Sequence, residues 1–297
     1  MTPPGSVRDA ADVRARLDAQ DYLADEGLST AVFLALELGL PLLLEGEPGV
    51  GKTAAAQVLA RALDAPLVRL QCYEGLTAAE ALYDWNHQRQ LMAIRLSEAH
   101  HERLAEADLF GEEFLQERPI LRCVRYDGPR PPVLLIDEVD RADDQFDALL
   151  LEFLGEASVT VPEIGTFRAA RPPVVVLTSN RSRDLHDALR RRCLYHWLEY
   201  PAAERVVEIL RRTVPSASAS LIASAAAFVG HVRTLEVDKA PGISEAVNWV
   251  AALSVLGVSE LVRDDLAGAV GLTLGALAKT PDDRDLVTAA LADGAWR

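Results

Sequence analysis

Apolar positions along this chain follow two different periods. Up to about residue 200, short apolar runs alternate with stretches of helical period; beyond it only the helical period remains. "PLLLEG" at 41–46, "PLVRLQ" at 66–71, "VLLIDE" at 133–138, "PPVVVLTSN" at 172–180 and "CLYHWLEY" at 193–200 read as five strands. Val133-Leu134-Leu135-Ile136 and Val174-Val175-Val176-Leu177 do not alternate with polar residues, as an exposed hairpin would. Unbroken runs of this kind suit parallel strands covered on both faces.

The intervening segments predict helices. Residues 21–39 carry Leu28, Ala31, Val32, Leu34, Ala35 and Leu38 on one side, and Gly39 and Pro41 stop the pattern. "AAAQVLARAL" at 54–63 is rich in strong helix formers, 78–107 is mostly helical, and 144–155 follows the third strand. Residues 1–20 read as frayed or helical, and 111–132 as irregular. "SVTVPEIGTFRAA" predicts a small hairpin turning at Glu163-Ile164-Gly165. Arg-Pro-Pro-Val occurs at 130–133 and again at 171–174, and both copies mark the start of a strand, where proline's missing amide is tolerated. After Pro201 come helices near 202–212, 217–231, 243–256, 259–279 and 282–293. The expected fold is an α/β domain over 1–200, with a parallel five-stranded sheet sandwiched by helices, followed by a smaller all-helical domain over 201–297.

Between the first strand and the next helix stands Gly46-Glu47-Pro48-Gly49-Val50-Gly51-Lys52-Thr53, which satisfies the phosphate-loop pattern G-x-x-x-x-G-K-[ST]. Its glycines let successive amides converge on phosphate oxygens, and the helix that begins near Lys52 aims its positive end at the same anion. In such a loop Lys52 reaches the β- and γ-phosphates, and Thr53 binds Mg²⁺ through its hydroxyl. A P-loop fold takes its second metal contact from an Asp at the end of a nearby strand, a duty that fits Asp137. Glu138, one residue further, is placed to polarise a water. No glycine follows Asp137 and no Asn-Lys-x-Asp base-reading motif occurs, so ATP is favoured over GTP. Asn180 ends the fourth strand, where a polar side chain can hold the attacking water. "DALRRRC" puts Arg190, Arg191 and Arg192 at a helix end; they can serve the helix dipole or act as an arginine finger on a neighbouring subunit's nucleotide.

Composition narrows the classes of function. Thirty basic residues against 45 acidic give a net charge of −15 in 297 residues, which argues against general affinity for a nucleic-acid backbone. The longest apolar stretch, near Ala31–Leu44, is broken by Glu37 and Pro41, so no membrane insertion is expected, and the polar, acidic first twenty residues point to the cytoplasm. Cys72, Cys123 and Cys193 have no metal-binding spacing and read as reduced, partly buried thiols. His100-His101 reads as a solvated helical face. Tyr73, Tyr83 and Trp85 are read as core packing ahead of client gripping. Ile164 and Phe167 can belong to a pore-facing hairpin or to a tight turn, and Trp249 is expected in a core.

These motifs, in this order and spacing, resemble the AAA+ ATPases over residues 21–297. "LLIDEVDRA", the hairpin and "DALRRRC" are similar to the MoxR branch. "QCYEGLTAAEALYDWNHQRQL" and "PGISEAVNW" resemble the accessory ATPases associated with carbon monoxide dehydrogenase maturation. The resemblance implies an ATP- and Mg²⁺-dependent ATPase in a homo-oligomeric, hexameric ring. It further implies a partner with a von Willebrand factor A domain and a chaperone-like task on a protein or metal-cofactor complex. Matched by position, Lys52 and Thr53 belong to Walker A, Asp137 and Glu138 to Walker B, and Asn180 to sensor one, with Arg192 and then Arg191 as the finger. The sequence departs from the pattern at the lid helix. There Glu245 stands where many relatives have a basic residue, and Arg233 and Lys239 are near but off position. That departure keeps open a nucleotide-gated assembly scaffold with little intrinsic turnover.

Overall fold

The five runs read as strands form one sheet. The computed structural model describes residues 7–100, 105–261 and 268–294. In chain order, α1 (Ala10–Asp18), α2 (Glu26–Leu38), β1 (Leu42–Gly46), α3 (Lys52–Ala62) and β2 (Leu67–Gln71) come first. Then follow α4 (Ala78–Ala81), β3 (Tyr83–Trp85), α5 (His87–His100), β4 (Leu115–Glu117), α6 (Pro119–Val124) and β5 (Val133–Asp137). After these come α7 (Asp144–Glu156), β6 (Ser158–Val161), β7 (Gly165–Arg168), β8 (Val174–Ser179), α8 (Asp187–Arg190) and β9 (Leu194–Leu198). The rest is helical: α9 (Ala203–Thr213), α10 (Ala219–Val232), α11 (Ile243–Val255), α12 (Ala269–Thr273) and α13 (Pro281–Asp293).

The five-stranded sheet has the order β2-β5-β8-β1-β9. β2, β5, β8 and β1 pair in parallel, with Gln71 opposite Asp137 and Glu45 opposite Ser179. The central strands β1 and β5 are buried at every position. Edge strand β2 instead buries Val68 and Leu70 and exposes Leu67, Arg69 and Gln71, because only one of its faces is covered. Leu43, Leu134, Ile136 and Leu177 meet Ile120, Leu121, Phe146 and Leu150 in this core.

The chain divides into two compact units. One holds the chain up to Arg16, Asp25–Glu45 and Thr53–Trp197; the other holds Leu17–Ala24, Gly46–Lys52 and the chain from Leu198 onward. In the second unit Trp249 is fully buried against Phe228, with ring centroids 5.5 Å apart, and its indole donates to Thr273 Oγ1 at 3.0 Å.

Several predicted elements are divided in the structure. The helix expected from residue 21 starts at Glu26, because the Asp25 carboxylate accepts the Leu28 amide at 2.6 Å and caps the first turn. The helix expected over 78–107 is cut after one turn. Thr77 and Glu80 form a capping box around α4, and Tyr83–Trp85 then pair antiparallel with β4, inside the stretch expected to be irregular. Asn86 restarts the helix by accepting the Arg89 amide at 3.0 Å. Tyr83 and Trp85 therefore sit on a strand, half-buried and edge-to-face with each other, and Trp85 also meets Phe110 at 5.2 Å. Phe167 lies under the Arg125 guanidinium, 4.8 Å from its ring centre. The helix expected over 259–279 contains 262–267, and His101 and the first six residues likewise lie outside the described residues. Within its described part, α12 gives way to a 3₁₀ turn at Leu274–Ala276, next to Gly271 and Gly275.

Candidate functional site

The phosphate loop joins β1 to α3, and its glycines have the conformations that such a loop needs. Gly49 and Gly51 lie at φ 79° and 100°, where a side chain would be strained. A Cβ on Gly49 would also stand 2.8 Å from the Gly242 Cα, so this glycine allows a backbone-to-backbone approach within the second unit. The Ile243 amide donates to the Gly49 carbonyl at 2.9 Å. Lys52 is buried, and its ammonium donates to the carbonyls of Gly46 and Glu47, both at 2.7 Å. The loop thus already holds a cation turned towards its own rim.

Thr53, the next residue on α3, donates its hydroxyl to Asp137 Oδ1 at 2.9 Å. Asp137 ends β5 and is almost fully buried. The same Oδ1 accepts the Thr178 hydroxyl at 2.5 Å, and Oδ2 accepts Arg69 Nη2 at 2.5 Å. Thr178 also accepts the amide of Glu138 at 2.9 Å. A single hydroxyl on β8 therefore holds the Asp137 carboxylate and the backbone of Glu138 together. Glu138 has left the strand in the left-handed region, φ 55° and ψ 49°, a conformation that costs a non-glycine residue about 1–2 kcal/mol. Its side chain accepts from Gln71 Nε2 and from Arg141 Nη1, each at 3.0 Å. Arg69, Gln71 and Thr178 are site residues that the sequence motifs do not mark. The signal for them is faint: polar positions on the exposed face of β2 and a lone hydroxyl inside "VVVLTS".

Asn180 follows β8 directly and is half-buried. The loop behind it is fixed by two buried carboxylates. Asp140 accepts the amide and hydroxyl of Ser182, both at 2.7 Å, and Asp147 accepts Arg183 Nη2 at 2.9 Å and the His186 amide at 3.2 Å. The Asp147 hydrogen bond raises the Arg183 pKa. The three arginines of α8 and its end separate clearly. Arg190 binds the buried Glu45 carboxylate at 3.0 Å, and the Arg192 guanidinium donates to the Leu151 carbonyl. Arg191 reaches into solvent, with 83% of its side chain exposed and only a 3.9 Å approach to Asp187.

In the second unit Glu245 is engaged as a helix cap: its carboxylate accepts the Gly242 amide at 3.1 Å at the start of α11. The basic residue near the loop is Arg233, which pairs with Glu47 and lies 3.8 Å above the Tyr200 ring. Lys239 is exposed. Burial lifts the Cys72, Cys123 and Cys193 thiols to about 12, so none is a thiolate nucleophile at neutral pH.

Oxygen donors converging from Thr53 and Asp137 are the hard ligands that suit Mg²⁺, which is typically held by one or two protein oxygens plus phosphates. The glycine loop and buried lysine suit the phosphates themselves. Among the described residues no helix is long and apolar enough to cross a membrane.

Comparison with known proteins bears on the family and the fold. The denitrification regulatory protein NirQ of Pseudomonas aeruginosa is 29% identical over 206 residues, covering 65% of this chain and 68% of NirQ. A point mutant of Thermotoga maritima RuvB superposes over 90% of this chain and 71% of its own, with a TM-score of 0.50 and 17% identity. A second RuvB point mutant from the same organism covers 91% and 72%, with a TM-score of 0.49 and 18% identity. The first of these shares the fold: a parallel five-stranded sheet flanked by helices, with further helices at the C-terminal side. Residues 41–193 match the family described as AAA domain (dynein-related subfamily), and that span runs from the start of β1 to the arginines after α8. The chain belongs to this AAA family.

Proposed function

We propose that the protein is an ATPase of the MoxR type that couples ATP hydrolysis to remodelling or maturation of a partner complex. The observation that supports this most directly is the 2.9 Å contact between Thr53 and Asp137, one residue past the phosphate-loop lysine. In this reading Gly46 to Thr53 bind the triphosphate, with Lys52 turning from the loop carbonyls to the β- and γ-phosphates. Thr53 and Asp137 hold Mg²⁺, which when bound supplies charge neutralisation at the phosphates. Glu138 orients and polarises water, and Asn180 steadies it. Arg191 or Arg192 acts from a neighbouring subunit; Arg191 has the freer side chain, and Arg192 is the better match by position.

The relative named as a denitrification regulatory protein supports a task carried out on another enzyme system. We propose a homo-oligomeric ring of six, a von Willebrand factor A domain partner and a cytoplasmic site of action. Residues 1–200 would form the nucleotide-binding domain and 201–297 the lid. A second reading, a nucleotide-gated scaffold with slow turnover, is favoured by one observation: both carboxylates are already engaged, Asp137 by Arg69 and Glu138 by Gln71 and Arg141.

Phosphate release measured with and without the partner separates these readings, since a scaffold stays slow in both. Glu138→Gln is expected to keep Mg²⁺-dependent nucleotide binding while turnover falls by about 10²–10⁴. Hydrolysis at the wild-type rate in that variant removes Glu138 from its assigned role. Mixing an Arg191/Arg192 double variant with a Lys52 variant should restore part of the activity. No rescue in rings shown to be mixed removes the finger from both arginines.

A further inference from the structure

The buried carboxylate of Glu45 has no part in the scheme above, yet it sits at its crossroads. Only 1% of its surface is exposed. It lies opposite Ser179 in the β1–β8 register and accepts that hydroxyl at 3.3 Å. Arg190 Nη2 lies 3.0 and 3.3 Å from its two oxygens, and Arg181 Nε 3.8 Å from Oε2. The Tyr195 hydroxyl feels it as well: burial first, then the Glu45 charge and a hydrogen bond to it, raise that pKa. Each main partner is one residue from a functional position. Glu45 precedes Gly46 of the phosphate loop, Ser179 precedes Asn180, and Arg190 precedes Arg191.

A buried ion pair is a poor device for stability alone, because desolvation offsets most of its attraction. It does fix geometry, since Arg190 cannot leave without stranding the buried Glu45 carboxylate. The Arg190 pair is also incomplete: its Nε is buried with no acceptor among the described residues.

We propose that Glu45 is a positioning residue that links α8 to the phosphate end of the sheet, so that nucleotide in the loop shifts Arg191 and Arg192. This rests on the ATPase reading. Hydrogen exchange of the full-length protein, with and without a non-hydrolysable ATP analogue and Mg²⁺, tests it. In wild type, segments 46–53 and 187–193 should both gain protection. In Glu45→Gln, 46–53 should respond as before while 187–193 no longer does. Analogue affinity and KM should stay within about threefold, and kcat should fall by roughly ten- to a hundredfold, the cost of a displaced group. Arg190→Gln should behave alike and serves if the first variant does not fold; Arg190→Lys should restore part of the response. If 187–193 responds in Glu45→Gln as in wild type, or fails to respond in wild type while 46–53 does, the link is overturned and the ATPase reading stands. If 46–53 does not respond in wild type, the ATPase reading fails, and the link fails with it.

Discussion

At their amino ends β1, β2, β5 and β8 each follow a proline, Pro41, Pro66, Pro132 and Pro173, whereas near their carboxyl ends they carry Glu45, Gln71, Asp137 and Ser179. The prolines bring no amide to satisfy, and their carbonyls close the ladder. Pro66 accepts from Val133, Pro132 from Val174 and Pro41 from Leu194, at 2.8–2.9 Å. Beside them lies a cavity of about 720 Å³, lined largely by apolar residues such as Leu40, Leu63, Phe153 and Val175. Both Arg-Pro-Pro-Val segments line it, but Arg130 and Arg171 turn their guanidinium groups to the backbone carbonyls of Leu63 and of Gly128 and Pro129. The same four strands thus end in a solved packing problem on one side and in a set of polar groups on the other. Chemistry belongs at the second end, because there buried charges have donors from several strands and a parallel sheet brings those donors into one row.

Substitutions at the two ends should separate turnover from stability. The largest effect is expected at Asp137. Asp137→Ala removes the proposed metal ligand and leaves Thr53, Thr178 and Arg69 without their shared acceptor. Mg²⁺-dependent phosphate release should fall by about a thousandfold or more. Stability should drop by about 1–3 kcal/mol in a denaturant titration, the cost of unsatisfied buried donors. Retained turnover would move the metal site elsewhere.

Thr178→Val should come next. It is close to isosteric, yet it takes one donor from Asp137 and the only acceptor described for the Glu138 amide. A loss of about 1–3 kcal/mol is expected. Turnover should fall roughly ten- to a hundredfold, with kcat affected more than KM, as for groups that orient metal ligands. A variant that loses stability but keeps kcat would make Thr178 a packing residue only.

Much of this arrangement is legible in the sequence. The proline starts, the unbroken apolar runs and the polar strand ends specify the sheet, and Thr53 and Asp137 pair by motif and by place in the fold. The edge strand β2 reads as a strand without its consequence: with one face uncovered, Arg69 and Gln71 come to the side of Asp137 and Glu138. Side-chain reach across neighbouring strands depends on strand order, which local pattern does not state. The same limit hides Glu45, whose partners lie 134 and 145 residues away. In the other unit, Glu245 stands out of place in the sequence; its role as a cap and the delivery of Arg233 to Glu47 depend on how α10 and α11 are joined. Tyr83–Trp85 reads as helix because helix propensity on both sides outweighs three residues whose pairing partner lies about thirty positions on.

The smallest expected effect gives the cleanest comparison, because both ends of the sheet hold a non-glycine residue in the left-handed region. Glu138 stands at φ 55° past β5, and Ala157 at φ 48° where α7 ends beside the apolar cavity. The Ala157 amide closes the helix on the Phe153 carbonyl, a bond that glycine keeps. Ala157→Gly should therefore raise stability by about 0.5–1 kcal/mol, the relief of the left-handed penalty less glycine's extra unfolded-state entropy, with phosphate release unchanged. Glu138→Gly relieves the same backbone penalty and removes only half-exposed side-chain contacts, so its stability should hold or rise while turnover collapses. Equal thermal-melting shifts with opposite kinetic outcomes would show that strain at one end serves helix termination and at the other holds a carboxylate for chemistry. A fall in stability at Glu138→Gly would instead mean that Gln71 and Arg141 anchor the turn, and that the left-handed backbone there is a consequence of those contacts.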